Sequence, residues 1–337
     1  MIHRKAQRIK RFMRSMWIKV FALTLATLIL LAANFLFIRL TQDRRAVEIE
    51  APNPELLPPA RSPDSLRLLT YNIAHGRGPR LGAANTEGGD AEEKRMRLES
   101  IGRRIGELGL DLVALQEVDF NTWWSHGMDQ AEIIAKEAGF PYIIRQRNFD
   151  TGFSLFRRYD FGNVLLSRFP IVEAQKIEFP PMKDWENLLA GNHDGILARV
   201  RIGEDQDILV VAAHLEVRSE DIRVQATGEI IRIQRGSSLP MILLGDLNST
   251  PPGFPDSRTT LSGQNAIEVL ESFGGFQRRP ARGQATWQDF TFPTEAPRRI
   301  IDWIMPDPNW TFMQYEVRRD FTESDHLPVM ATLRFRR

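Results

Sequence analysis

The sequence predicts an α/β protein in which two β-sheets pack face to face with helices outside, behind a single N-terminal transmembrane helix. Three observations carry this reading. From residue 65 onward short β-rich runs outnumber helical ones and do not alternate strictly with them, so a βαβ repeat is not expected. Near the N-terminus one apolar segment stays uncharged over the thickness of a bilayer. The composition, 337 residues with 42% hydrophobic and 26% charged, supplies a sizeable core and excludes global disorder. No internal repeat is visible.

Residues 1–19 form a basic flank containing Arg4, Lys5, Arg8, Lys10, Arg11, Arg14 and Lys19. Val20 to Ile38 is then a run of 19 uncharged residues in which only Thr24, Thr27 and Asn34 are polar. At ~1.5 Å rise per helical residue it approximately spans a ~30 Å hydrocarbon core. Seven basic residues precede the run and three (Arg39, Arg44, Arg45) follow it closely. That bias puts the N-terminus in the cytoplasm and the rest in the periplasm or outside the cell. A buried core helix would carry a polar stripe. A cleaved signal peptide would have a shorter apolar region ending in small residues. Ala32 and Ala33 are instead followed by Asn34, Phe35, Leu36 and Phe37, so an uncleaved anchor over 20–38 is expected. Residues 39–64 hold Pro52, Pro54, Pro58, Pro59 and Pro63 and few large apolar side chains. They read as an extended, semi-stiff tether rather than packed structure.

Residues 65–337 are expected to form one α/β domain. Strands are predicted at Leu66–Ile73, Leu112–Gln116, Tyr142–Arg147, Gly162–Ser167, Ile171–Phe179, Ile196–Ile202, Ile208–His214, Met241–Leu244, Ile300–Ile304, Phe312–Val317 and Val329–Phe335. Helices are predicted at Ala91–Leu108, Met128–Ala138 and Ser219–Gln234. The glycine-rich stretch Ala74–Asp90 reads as a long mobile loop, of a length that is often functional.

The net charge of +1 averages two unlike regions. Residues 1–61 carry 11 basic and 4 acidic side chains; the remaining 33 basic and 39 acidic leave the domain at −6. The absence of cysteine excludes a disulfide scaffold, a thiolate metal site and a cysteine nucleophile.

Polar clusters stand at the ends of the apolar strands, where a buried sheet delivers side chains to one rim. They are Asn72 after Tyr71, Gln116 and Glu117 with Asp119, His214, Asp246 and Asn248, Asp302, and Asp325 with His326. Carboxylates and amides without thiols suit a hard cation such as Mg²⁺ or Mn²⁺. Two histidines could act as acid and base or as phosphate contacts. The inventory points to metal-assisted hydrolysis of a phosphate ester. Taken singly, each cluster has a plainer reading. Glu117 suits an ion-paired rim residue, and Gly-Asp-x-Asn suits a turn. Asp302 inside an apolar strand needs a partner, and a histidine is a good one.

The full set, in its order, resembles the endonuclease/exonuclease/phosphatase superfamily, here as a membrane-anchored, bacterial-type member. That superfamily includes pancreatic-type deoxyribonuclease, abasic-site endonucleases, inositol-polyphosphate 5-phosphatases and neutral sphingomyelinases. The resemblance runs from Leu66 to Arg334 and implies a four-layer α/β/β/α sandwich of two packed mixed sheets. It implies Glu117 as principal metal ligand, aided by Asn72 and Asp325, with one or two Mg²⁺ (or Mn²⁺) ions. It also implies Asp246 activating or orienting the nucleophile, Asn248 holding the phosphate, and Asp302 orienting His326. His214 would then serve the leaving oxygen. Which histidine is acid and which base stays open at this point. Asn163 and Thr286 match phosphate-side positions.

The substrate belongs to the loops rather than to the fold. A domain at −6 does not favour nucleic acid, although Arg77 with Arg80, Arg157 with Arg158, and Arg278, Arg279 and Arg282 could form local patches. Equally, each of these groups could be solvated surface. Trp123 and Trp124, and the Phe153–Phe156 segment, either fill the core or form an interfacial patch meeting lipid. His75 either contacts substrate or is structural; His126 and His193 belong to no cluster. The expected partners are a phosphate-ester substrate and the membrane, with no protein partner. An anchored nuclease and a catalytically silent membrane-bound scaffold are the alternatives.

Overall fold

Alternation of apolar residues along the strands decides the layering, because successive side chains point to opposite faces. The computed structural model describes residues 2–42, 47–51, 63–150, 158–181 and 193–336. In chain order these form α1 (Ile2–Gln42), β1 (Val47–Glu50), β2 (Ser65–Asn72), α2 (Ala91–Glu107), β3 (Leu112–Asp119) and α3 (Gln130–Ala138). Next come β4 (Tyr142–Asp150), β5 (Asp160–Ser167), β6 (Ile171–Ile177), β7 (Gly195–Gly203), β8 (Gln206–His214) and α4 (Glu220–Arg235). The chain closes with β9 (Met241–Asp246), α5 (Ala266–Gly274), β10 (Asp302–Pro306), β11 (Trp310–Val317) and β12 (Val329–Phe335).

Two mixed sheets result, one ordered β1-β4-β5-β3-β2-β12-β11 and the other β10-β9-β8-β7-β6. Each contains one parallel pair, β2–β3 and β8–β9; the other pairings are antiparallel. On β2, Leu66 and Leu68 enter the core between the sheets, while Leu69 and Tyr71 meet α2 and α3. On β8, Ile208, Val210 and Ala212 face inward, while Leu209, Val211 and Ala213 meet α4 and α5. Leu98, Ile101 and Ile105 form the buried stripe of α2. Each such side chain contributes ~1.5–3 kcal/mol by leaving water. The expected four-layer sandwich is therefore present.

Helix α1 is continuous through the apolar run. Its Lys10–Asn34 stretch is long and apolar enough to cross a membrane, and none of it is buried against the domain. Phe12, Trp17, Phe21 and Leu30 lie exposed on it, which removes the core-helix alternative. Thr24 and Thr27 turn their hydroxyls back onto the carbonyls of Val20 and Leu23, at 2.9 Å each.

Three features depart from expectation. The tether contributes β1, an edge strand paired with β4, because Glu48 reaches Arg147 at 3.0 Å and Glu50 reaches Arg145 at 2.7 Å. The Ala74–Asp90 loop is pinned rather than mobile: Arg97 donates to the carbonyls of Gly76 (2.7 Å) and Gly88 (2.8 Å). Lys94 donates from Nζ to those of Asn85 (3.0 Å) and Trp124 (2.7 Å). Helix α5 was not anticipated; Asn265 caps its start and Gly275, left-handed, ends it. Most of the proline-rich tether (52–62), the Phe153–Phe156 segment and Arg157 lie outside the described residues.

Candidate active site

Both parallel pairs end at the same edge of the sandwich. Beyond the inward-facing apolar residues, the same alternation presents Asn72 on β2, His214 on β8, Asp246 on β9 and Asp302 on β10 to the gap between the sheets. Registers align them: His214 pairs with Asp246, and Asp246 with Asp302. Asn72 bridges the gap, donating from Nδ2 to Oε1 of Glu117 and to Oδ2 of Asp246, both at 3.1 Å. Its own oxygen accepts from Ala74 N at 2.9 Å. Asn72 therefore turns its amino group, not its expected ligand oxygen, toward the carboxylates.

Glu117 is out of phase with this pattern. Continued alternation on β3 would send it, like Leu115, toward the helices. A bulge between Leu115 and Val118, with Glu117 at φ 54°, swings it into the site. Across the gap, Gly245 lets β8 and β9 close up, since a Cβ there would stand 1.8 Å from Ala213 O. Asn248, at φ 51°, donates from its backbone N to Oδ1 of Asp246 (3.0 Å) and from Nδ2 to Leu215 O (3.0 Å). The Gly-Asp-x-Asn segment is thus both a turn and a site element.

The β2–β3 side is a carboxylate seat. Arg77 joins Glu117 (3.4 Å) to Asp325 (2.8 Å), so its solvated-surface reading is overturned. His75 lies between Glu117 (Nε2–Oε2 3.5 Å) and Asp119 (Nδ1–Oδ1 2.8 Å), and Gln130 fastens both the Asp119 backbone N and His75 O. Burial alone would raise the Glu117 pKa. His75, His214, Arg77 and the Asn72 bond outweigh it and hold the carboxyl well below the usual range. Burial also opposes charge on His75, but Asp119 raises its pKa. Asp325 Oδ1 is buried without a hydrogen-bond partner among the described residues. Two carboxylates that already hold a cationic group, one with an unsatisfied oxygen, fit a hard divalent cation.

The β8–β9 side holds protons instead. His326 Nδ1 meets Asp302 at 3.0 and 3.2 Å, and its Nε2 stands 3.8 Å from Asp246. His214 Nε2 lies 3.7 Å from the same Asp246 oxygen. Thr291 Oγ1 accepts from the backbone N of Asp302, and Phe292 packs on the His326 ring at 4.7 Å. Burial would lower the His326 pKa, yet Asp302 and Asp246 raise it to about 10. Burial, then Asp302, pushes Asp246 up to about 7. Burial lowers His214, whose Nδ1 has no partner among the described residues. Asp246, Asp302 and His326 bring ligand-type atoms within 4.8 Å of one another. Because His326 and Asp302 already satisfy each other, this group suits proton handling at least as well as an ion. Outside the predicted set, His193 packs edge-on against His214 at 5.0 Å and faces Glu216 at 3.4 Å.

Residues 69–326 match the family described as Endonuclease/Exonuclease/phosphatase. The chain belongs to this family. Among solved structures, an endonuclease/exonuclease/phosphatase from Beutenbergia cavernae is 22% identical, with TM-score 0.53 over 81% of this chain and 72% of that one. The human Nocturnin catalytic domain with bound sulfate is 19% identical, with TM-score 0.55 over 87% and 99%. A mannosyl-6-phosphatase from Bacteroides thetaiotaomicron is 18% identical, with TM-score 0.53 over 80% and 100%. At these identities the likeness shows the fold. No curated protein sequence matches the chain. Members of the endonuclease/exonuclease/phosphatase family act on phosphate esters and generally use divalent metal ions, so the protein is a phosphoesterase.

The other residues expected at this family's site lie around it. Buried Asn163 donates to Gln146 (2.7 Å) and to Asp194 O (2.8 Å), tying the two sheets at the rim; its Oδ1 has no partner among the described residues. Thr286 is exposed and caps the turn at Trp287–Asp289. No contact joins it to the cluster among the described residues. Trp124 donates to Asp119 (2.8 Å) and packs edge-on against His75 at 5.7 Å, with Trp123 beside it. The arginines considered as a basic face are largely matched with acids: Arg80 with Glu87, Arg158 with Asp160, Arg278 with Glu271 and Arg282 with Glu268. Sequence reasoning placed Asp119 in the Glu117 cluster and Arg77 in a surface patch without giving either a role at the site, and it left His193 outside every cluster.

Proposed function

We propose that the protein is a membrane-tethered, extracytoplasmic hydrolase that uses Mg²⁺ (or Mn²⁺) to cleave a phosphodiester or phosphomonoester in a lipid or membrane-associated substrate. The observation that carries this reading is the joining, by one amide, of a carboxylate seat to a histidine–carboxylate relay. Glu117 and Asp325 would hold the ion, and Asn72 keeps Glu117 and Asp246 in register. When bound, the ion neutralises charge gathering on the phosphoryl oxygens. His326, held at Nδ1 by Asp302, stays protonated and donates from Nε2 to a phosphoryl oxygen as negative charge grows. Asp246, fixed by Asn72 and Asn248, takes the proton of the attacking water. Neutral His214, whose Nε2 lies 3.7 Å from Asp246, serves the leaving oxygen and receives that proton from Asp246 by way of one water. Overall, water adds across one P–O bond.

The apolar, unburied α1 and the seven-to-three distribution of basic residues support the tether and its orientation. The deciding assay incubates the full chain with Mg²⁺ and a panel of plasmid DNA, RNA, phosphatidylinositols, sphingomyelin and an aryl phosphodiester. Hydrolysis of a lipid or aryl ester, lost in His326→Ala, is expected. Turnover of nucleic acid alone would replace this reading with an anchored nuclease.

A further inference from the structure

We infer that the mouth of the active site faces the bilayer, and that the aromatic rim beside it seats on phospholipid head groups, making the scissile phosphate that of a membrane lipid. This rests on the membrane-anchored phosphoesterase reading and adds an orientation and a substrate class to it. Strand directions carry the argument. β2 and β3 run parallel toward the catalytic edge and carry Asn72 and Glu117 to it. β5 is antiparallel to β3 and so starts at that edge; β4 is antiparallel to β5 and so finishes there, with Asp150 opposite Asp160. β1 is antiparallel to β4, Val47 pairing with Gln146 and Glu50 with Ile143. The chain leaving α1 therefore joins the sheet from the catalytic side. A parallel β1 would have brought it in from the opposite side and turned the mouth away.

The attachment is short and clamped. From Gln42 to Val47 the backbone reaches about 18 Å at most, and α1 approaches β4 to within 8 Å between Cα atoms. Glu48 and Glu50 hold Arg147 and Arg145, whose side chains are only 5% exposed. Those two arginines are themselves anchored to Asp160 (3.0 Å) and Asp129 (3.0 Å). β1 is thereby fixed to the sheet with four residues between it and the end of α1, so the catalytic edge is held near that end of the helix.

The rim has the matching chemistry. Trp123, Trp124, Phe149, Tyr159 and Phe161 are half-buried and form one cluster, with successive ring centroids 5.2 to 6.5 Å apart. Trp124 and Phe161 both pack on His75, so the cluster adjoins the carboxylate seat. Tryptophan and tyrosine favour the head-group layer, where one end of the ring is apolar and the other wet.

The chain has no cysteine, so single introduced cysteines report position cleanly. His126→Cys places a donor dye on the exposed turn after Trp123–Ser125; Asp205→Cys places one on the exposed β7–β8 turn at the opposite edge. The full chain is reconstituted in phosphatidylcholine vesicles carrying a rhodamine-labelled lipid. Stronger energy transfer from position 126 than from 205 is expected; equal transfer, or stronger transfer from 205, overturns the orientation. Glu48→Lys with Glu50→Lys should abolish the difference and lower hydrolysis of vesicle phospholipid about tenfold by lost effective concentration. Hydrolysis of a soluble aryl phosphodiester should be unchanged. If that variant fails to fold, soluble-ester turnover disappears with it and the wild-type dye comparison decides. Turnover of the soluble ester with none of the vesicle lipid overturns the lipid assignment. Turnover of neither, with the dye difference intact, supports the orientation and refutes the phosphoesterase mechanism instead.

Discussion

The two halves of the site use the same types of residue to opposite ends. On the β2–β3 side, Glu117 and Asp325 meet Arg77, and Glu117 also meets His75; the Glu117 carboxyl is held ionised. On the β9–β10 side, Asp246 and Asp302 lie opposite each other in register with His326 against them, and the Asp246 carboxyl is pushed toward protonation. Burial is common to both. Charge compensation separates them: the cations beside Glu117 keep that carboxyl ionised, while crowded acids around an imidazole raise the pKa of His326 and of Asp246. Asn72 touches both halves, which couples their geometry without merging their chemistry.

That contrast can be broken one half at a time. The largest effect is expected for Asp246→Asn, which should lower kcat about a thousandfold while leaving divalent-cation affinity, measured by calorimetry, near wild type. A parallel loss of affinity would mean that the halves are one unit. His75→Asn should do the reverse, weakening Mg²⁺ binding ~10–100-fold with kcat largely recovered at saturating metal, since it acts by orienting Glu117. Arg77→Ala should destabilise the metal-free protein by about 2 kcal/mol, because two carboxylates lose their shared donor. Added Mg²⁺ should raise its melting temperature more than that of wild type.

The smallest effect concerns Asp194, a buried carboxyl belonging to neither half, with Lys176 at 3.7 Å. Burial raises it to about 7. A carboxyl pKa above its unfolded value contributes stability that is full below about pH 4 and is lost as pH rises toward 7. Asp194→Asn should therefore raise the melting temperature more at pH 8 than at pH 5. An equal shift at both would remove the titration argument.

How much of this was legible beforehand follows from where each residue stands. Asn72, His214, Asp246 and Asp302 extend an apolar alternation by one more inward step, so strand pattern and motif agreed on them. Glu117 was visible as a residue, but the bulge that aims it depends on the facing strand. Arg77 sits in a glycine-rich loop whose path is set by Lys94 and Arg97 from a later helix. β1 has only four residues, and its ion-pair partners lie about a hundred positions away. His193 acquires meaning only when the fold brings it against His214.

The most direct test of the account is the Mg²⁺ dependence of aryl phosphodiester hydrolysis by the full chain and by Glu117→Ala, with circular dichroism confirming that both are folded. Wild type should show saturable dependence on the ion and no turnover in chelator, and the variant should lose about a thousandfold or more. Undiminished Mg²⁺-dependent turnover in Glu117→Ala would contradict the assignment of the seat.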